Sequence, residues 1–88
     1  MIKAGNLKSR KIPIAFGAVL RELRLERRLS QERLAFESGV NRNYISLLEL
    51  GRNMPSLETM VALSCALQIP FGHFASLFAE KLKKIPNE

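Results

Sequence analysis

The sequence predicts an all-α domain of five helices, and three observations carry that expectation. Apolar residues recur at three- and four-residue steps through most of the chain, the spacing of helices with one buried face. Ser30, Asn41 and Ser56 each stand just ahead of such a run, where a short polar side chain can accept from the unpaired N–H groups of a first turn. Gly39, Gly51, Pro55 and Pro70 punctuate the gaps, and no β-type alternation, internal repeat or low-complexity tract interrupts the pattern. With 88 residues and 47% hydrophobic content this is one domain. A chain of that size hides only about 60–65% of its unfolded surface, so contact with a second copy would add materially to its stability.

Residues 1–12 carry Lys3, Lys8, Arg10 and Lys11 and read as a flexible basic arm, with a frayed terminus as the plain alternative. The folded domain is expected over 13–84. Its first helix begins near Pro13, which a first helical turn tolerates. Phe16, Leu20 and Leu23, flanked by Val19, form the inward stripe. Arg21, Arg24, Arg27 and Arg28 then read as a solvated face, although Arg24 and Arg28, one turn apart, could approach a phosphate together.

The second helix starts at the Ser30 cap, with Glu32 near the positive end of the dipole. Leu34 and Ala35 turn inward, and Gly39 leaves the helix with a positive φ that glycine adopts without a Cβ clash. Asn41 caps the third helix. There Ile45 and Leu48 point inward, with Leu47 a further candidate for that face; Arg42, Asn43, Tyr44 and Ser46 point outward, and Gly51 closes the run as Gly39 does. Two short capped helices about a glycine turn make a helix-turn-helix.

The loop Arg52-Asn53-Met54-Pro55 leads to Ser56, the cap of a fourth helix. Leu57, Met60, Val61, Leu63 and Leu67 make this helix almost wholly apolar, so it should be the central and most buried one. Cys65 within it reads as a small core residue. Ile69-Pro70 breaks the run, and a fifth helix follows over about 71–84, ending in Lys81, Lys83 and Lys84 at the negative end of the dipole. Its stripe of Phe71, Phe74, Leu77, Phe78 and Leu82 exceeds the needs of a lone small core. It is expected to form a homodimer interface, because large apolar patches usually mark one.

Fourteen Lys and Arg against eight Glu give a net charge of +6, which favours an anionic partner; solubility alone is the plain alternative. The single cysteine excludes an internal disulfide framework and fits a reducing, cytoplasmic setting. No signal peptide is evident. The stretch 59–79 lacks Lys, Arg and Glu and is long enough to cross a bilayer, but Gln68, Pro70 and His73 interrupt it, and no membrane partner is expected. Catalysis is unsupported: with no Asp, one His and one Cys, neither a catalytic relay nor a metal cluster can be assembled, and no cofactor is expected.

Recognition of double-stranded DNA is better supported. A helix fits the major groove, where arginine pairs with guanine and asparagine with adenine through two hydrogen bonds. Arg42 and Asn43 lie at the start of the third helix, the part of a recognition helix that points most directly at base edges. Gln31 at the start of the second helix and Arg52 just past the third are placed for phosphates.

The run SQERLAFESGVNRNYISLLELG followed by RNMPSLETMVALSCAL resembles the helix-turn-helix family of phage repressors and Cro proteins. Within it the likeness is strongest to the controller proteins of restriction–modification systems. The residues that carry it are Ser30-Gln31, Leu34-Ala35, Gly39-Val40, Tyr44-Ile45-Ser46, Glu49, Gly51, Pro55-Ser56-Leu57 and Ala66-Leu67, over about residues 14–70.

The resemblance implies a lambda-repressor-like fold and a regulator that binds an inverted-repeat operator as a homodimer in the cytoplasm, at the nucleoid, with RNA polymerase as a further candidate partner. It also implies base readout by Arg42, Asn43, Ser46 and Leu47, backbone contacts from Gln31, Asn41, Tyr44, Arg52 and Asn53, and a structural role for Glu49. Three departures stand out: Leu50 replaces the usual Arg or Asn, removing a phosphate contact; the loop Arg52-Asn53 carries its basic residue one place earlier than is usual; and Leu47 replaces a polar reader, leaving apolar contact with a thymine methyl, or none, as its readout. The alternative class is a protein-interaction module on the same fold, such as an antitoxin or a coactivator bridge.

Overall fold

The computed structural model describes residues 10–86, in which five helices follow one another: α1 Lys11–Glu26, α2 Gln31–Ser38, α3 Arg42–Glu49, α4 Leu57–Ala66 and α5 Phe71–Lys84. The caps fall where the sequence puts them. Ser30 accepts from the backbone N–H of Arg33, Asn41 from Asn43 and Tyr44, and Ser56 from Thr59. Gly39 and Gly51 both hold left-handed backbone, at φ 74° and 73°, and so turn the chain out of α2 and α3.

α1 begins at Lys11, two residues before Pro13, so Lys11 and Ile12 belong to the helix and not to an arm. Arg10 stands at its N-cap and donates through Nη2 to the Gly51 carbonyl at 2.5 Å, pinning the start of α1 to the end of α3. The remainder of the expected basic arm lies outside the described residues.

The core gathers Phe16, Val19 and Leu20 of α1, Leu34 of α2, Ile45 and Leu48 of α3, Leu63 and Ala66 of α4 with Leu67, and Phe74 of α5. The Phe16 and Phe74 rings meet with centroids 5.3 Å apart, which ties the first helix to the last. α1, and not α4, is the most buried helix: it turns Ala15, Phe16, Gly17, Val19, Leu20 and Arg24 inward against α3 and α5, whereas α4 buries three residues. α4 buries Leu63, Ser64 and Ala66 but leaves Leu57, Val61 and Cys65 on an exposed face. That corrects two expectations, that the fourth helix is the central and most buried one and that Cys65 is a core residue. An unbroken apolar composition had masked the fact that only one side of this helix has neighbours.

No single helix among the described residues is long and apolar enough to cross a membrane. The pair α4 and α5 passes that test only jointly, across a bend of 106° at Ile69-Pro70.

Candidate nucleic-acid interface

α3 offers the face expected of a reading helix. Ile45 and Leu48 are fully buried, which fixes the rotation of the helix and turns the opposite side to solvent. Arg42 and Asn43 are exposed at its N-terminal end, Ser46 and Leu47 flank the outward line half-buried, and Leu50 ends it, exposed. Arg52 and Asn53 are exposed in the following loop. Thus the four expected base readers share one helix face.

The residues expected on the DNA backbone divide. Asn41 commits its Oδ1 to capping α3, leaving only its amide N–H groups for another partner. Tyr44 is half-buried and donates from its hydroxyl to the Met54 carbonyl at 3.3 Å, which ties α3 to the loop before α4. Gln31 is half-buried and donates from Nε2 to Glu49 Oε1 at 3.1 Å. Its amide is therefore held in place at the start of α2.

Glu49 is the hub of this arrangement. Arg24 grips it with two bonds, Nε to Oε2 at 2.6 Å and Nη2 to Oε1 at 2.9 Å, and spans to the Leu29 carbonyl with Nη1 at 2.8 Å. The two side chains are only 10% and 4% exposed. The hydrogen bond to Glu49 raises the Arg24 pKa above the ordinary guanidinium value, desolvation works against it, and the charge of Glu49 adds to the rise. Arg24 is therefore neither on a solvated face nor free to meet a phosphate with Arg28, which corrects that expectation.

Arg24 is the residue whose role a plain helical reading misses. The signal was present in the spacing: Phe16, Leu20 and Arg24 fall on one line at four-residue steps, as do Ile45 and Glu49. Opposite charges thus end two inward stripes.

A second site concerns α5. Phe74 and Leu82 are buried in this chain's own core, so they back an interface at most and do not form its surface. Leu77 turns toward α1, beside Glu22, Glu26 and Lys81, and Lys81 is paired with Glu22 at 2.5 Å. Phe71 and Phe78 line an open, apolar groove of about 230 Å³ with Met54 and Met60, and the buried rings of Phe16 and Phe74 form its floor. Of the five expected interface residues, Phe71, Phe74 and Phe78 therefore meet at one groove, while Leu77 turns toward α1 and Leu82 is buried.

Comparison with known proteins places these features in context. Residues 20–74 match the helix-turn-helix family. The control protein C.BamHI of Bacillus amyloliquefaciens is 41% identical over 59 residues, covering 66% of this chain and 73% of that protein. The cryptic phage CTXphi transcriptional repressor RstR of Vibrio cholerae is 36% identical over 61 residues, 69% of this chain and 55% of that repressor. Among solved structures, the restriction-modification controller protein C.AhdI of Aeromonas hydrophila superposes with a TM-score of 0.68 at 42% identity, over 70% of this chain and 94% of that one.

Proposed function

Since this chain belongs to the helix-turn-helix family of DNA-binding transcription regulators, a family of regulators and not of enzymes, we propose that it binds an inverted-repeat operator as a homodimer. α3 enters the major groove, Arg42, Asn43, Ser46 and Leu47 meet base edges, and Gln31, Arg52 and Asn53 hold the sugar–phosphate backbone.

One observation supports this reading above the others. Between Ser38 and Leu57 the sole carboxylate, Glu49, is turned inward and matched by Arg24, while Arg42 and Arg52 stand exposed. An outward surface with fixed positive charge and no negative charge draws a phosphate backbone and leaves nothing to repel it.

Arg42→Ala is expected to cost about 1–3 kcal/mol at the preferred site and to relax preference at one base position. Arg52→Ala should weaken all duplexes alike and reduce the slope of log affinity against log salt by about 1. Binding titrations on selected and scrambled duplexes at several salt concentrations measure both. A shallow salt slope for the parent protein, with base preference unchanged in Arg42→Ala, contradicts the reading and favours a protein-interaction module.

The homodimer is supported by apolar surface that one copy leaves open. Besides the groove lined by Phe71, Phe78, Met54 and Met60, α4 leaves Leu57, which is 63% exposed, and Val61 uncovered. Such a patch is what a two-fold contact covers. The interface is therefore drawn over the α4 face and the first half of α5. Because Leu57 is exposed, Leu57→Glu should leave the fold intact, shift sedimentation from dimer to monomer at micromolar concentration, and weaken operator binding at least tenfold. An unchanged sedimentation profile would move the interface elsewhere.

A further inference from the structure

The outward line of α3 is not polar throughout. With about 100° and 1.5 Å per residue, Asn43 and Leu50 lie within about 20° of one line and about 10 Å apart along the axis. Leu50 keeps helical backbone, φ −80° and ψ −2°, and its N–H bonds to the Ser46 carbonyl at 3.0 Å, so it continues the helix face. Its side chain is 62% exposed, and Leu47 lies one turn nearer the N-terminus on the same side. The reading face thus has a hydrogen-bonding half, Arg42, Asn43 and Ser46, and an apolar half, Leu47 and Leu50.

We infer that Leu47 and Leu50 read the C5-methyl group of thymine in the major groove, about three base-pair steps from the base met by Asn43. The inference rests on the DNA-binding function proposed above and specifies what that surface recognises. In the major groove only a C5-methyl offers an apolar partner of matching size. A leucine facing solvent there has no hydrogen bond to offer any other base edge. Arg42 and Arg52 flank the two leucines in sequence, so electrostatic attraction brings the duplex to them without a carboxylate in the way. The same methyl is carried by 5-methylcytosine, so the contact would respond to cytosine methylation at that step.

The test uses the full chain and a duplex recovered by selection from a random pool. Each thymine in a half-site is replaced by uracil, which removes the methyl and keeps the pairing edge. At one or two positions on the side away from the Asn43-dependent base, the loss should be about fourfold per methyl, and it should vanish in Leu47→Ala/Leu50→Ala. Placing C·G at that step and then methylating the cytosine should recover a similar factor in the parent protein only. Specific, salt-dependent binding that ignores every uracil substitution overturns the methyl readout and leaves the regulator intact. An equal uracil effect in the double variant also overturns it. Loss of the dimer in Leu47→Ala/Leu50→Ala would assign the leucines to a protein contact and overturn it as well. Failure of any duplex to emerge from selection overturns the readout together with the function beneath it.

Discussion

Arg24→Ala is expected to lower the stability of the domain by about 3–5 kcal/mol, measured as the shift in denaturant midpoint at constant m-value. The change leaves the Glu49 carboxylate, 4% exposed, without its bidentate partner, while Gln31 Nε2 still donates to Oε1. A domain of this length holds about 4–13 kcal/mol in total, so the loss removes a large share of it. Replacing both partners tells a different story. Arg24→Met/Glu49→Leu removes two buried charges at once, and such exchanges are often neutral or stabilising. The double variant should therefore return to within about 1 kcal/mol of the parent. It should still bind DNA less tightly, because Gln31 no longer has Glu49 to hold its amide. Stability and affinity then separate, the signature of a pair kept for placement more than for net energy.

The second large effect concerns Gly17, at the crossing of α1 and α3. A Cβ there would run into the Leu48 carbonyl oxygen and come within 3.0 Å of the Glu49 carbonyl oxygen. Both are backbone atoms of α3, so no side chain can swing aside. In an open helix position, Gly→Ala stabilises by up to about 1 kcal/mol through backbone entropy and helix propensity. At Gly17 the overpacking term should win and destabilise by about 3 kcal/mol. Gly72 in α5 supplies the control, since nothing lies within 4 Å of its would-be Cβ. Gly72→Ala should raise the thermal midpoint while Gly17→Ala lowers it by more than 10 °C, taking 4–8 °C per kcal/mol as about the scale for a domain of this size. Equal and positive shifts would mean that α1 and α3 do not pack so closely.

Much of this architecture is legible in the residues because local chemistry fixes it. Ser30, Asn41 and Ser56 cap the helices they precede, and Gly39 and Gly51 take the left-handed backbone their positions demand. Those features depend on atoms within a turn of one another. What depends on distant partners is harder to see. Whether Leu57 or Leu63 is the buried side of α4 depends on which helices lie against it, and composition alone marks both as core. The stripe of α5 shows the same limit, since Leu82 is buried, Phe74 fills the chain's own core and floors the groove, and Phe71 and Phe78 line it from outside the core. Arg24 and Glu49 are readable only as a pair, because each looks like a surface charge until the other is set opposite it. Leu50 is the converse case. Set against the family pattern it reads as the loss of an expected phosphate contact, yet on the folded helix it adds an exposed apolar end to the outward face of α3.

Whether the outward face of α3 meets DNA is decided by titrating isotopically labelled protein with its selected duplex and following the backbone amide shifts. The largest changes are expected at Gln31, from Arg42 to Leu47, and at Arg52, with α5 little affected. Changes confined to Leu57, Val61 and the groove of Phe71 and Phe78, with residues 42–47 unmoved, would contradict it.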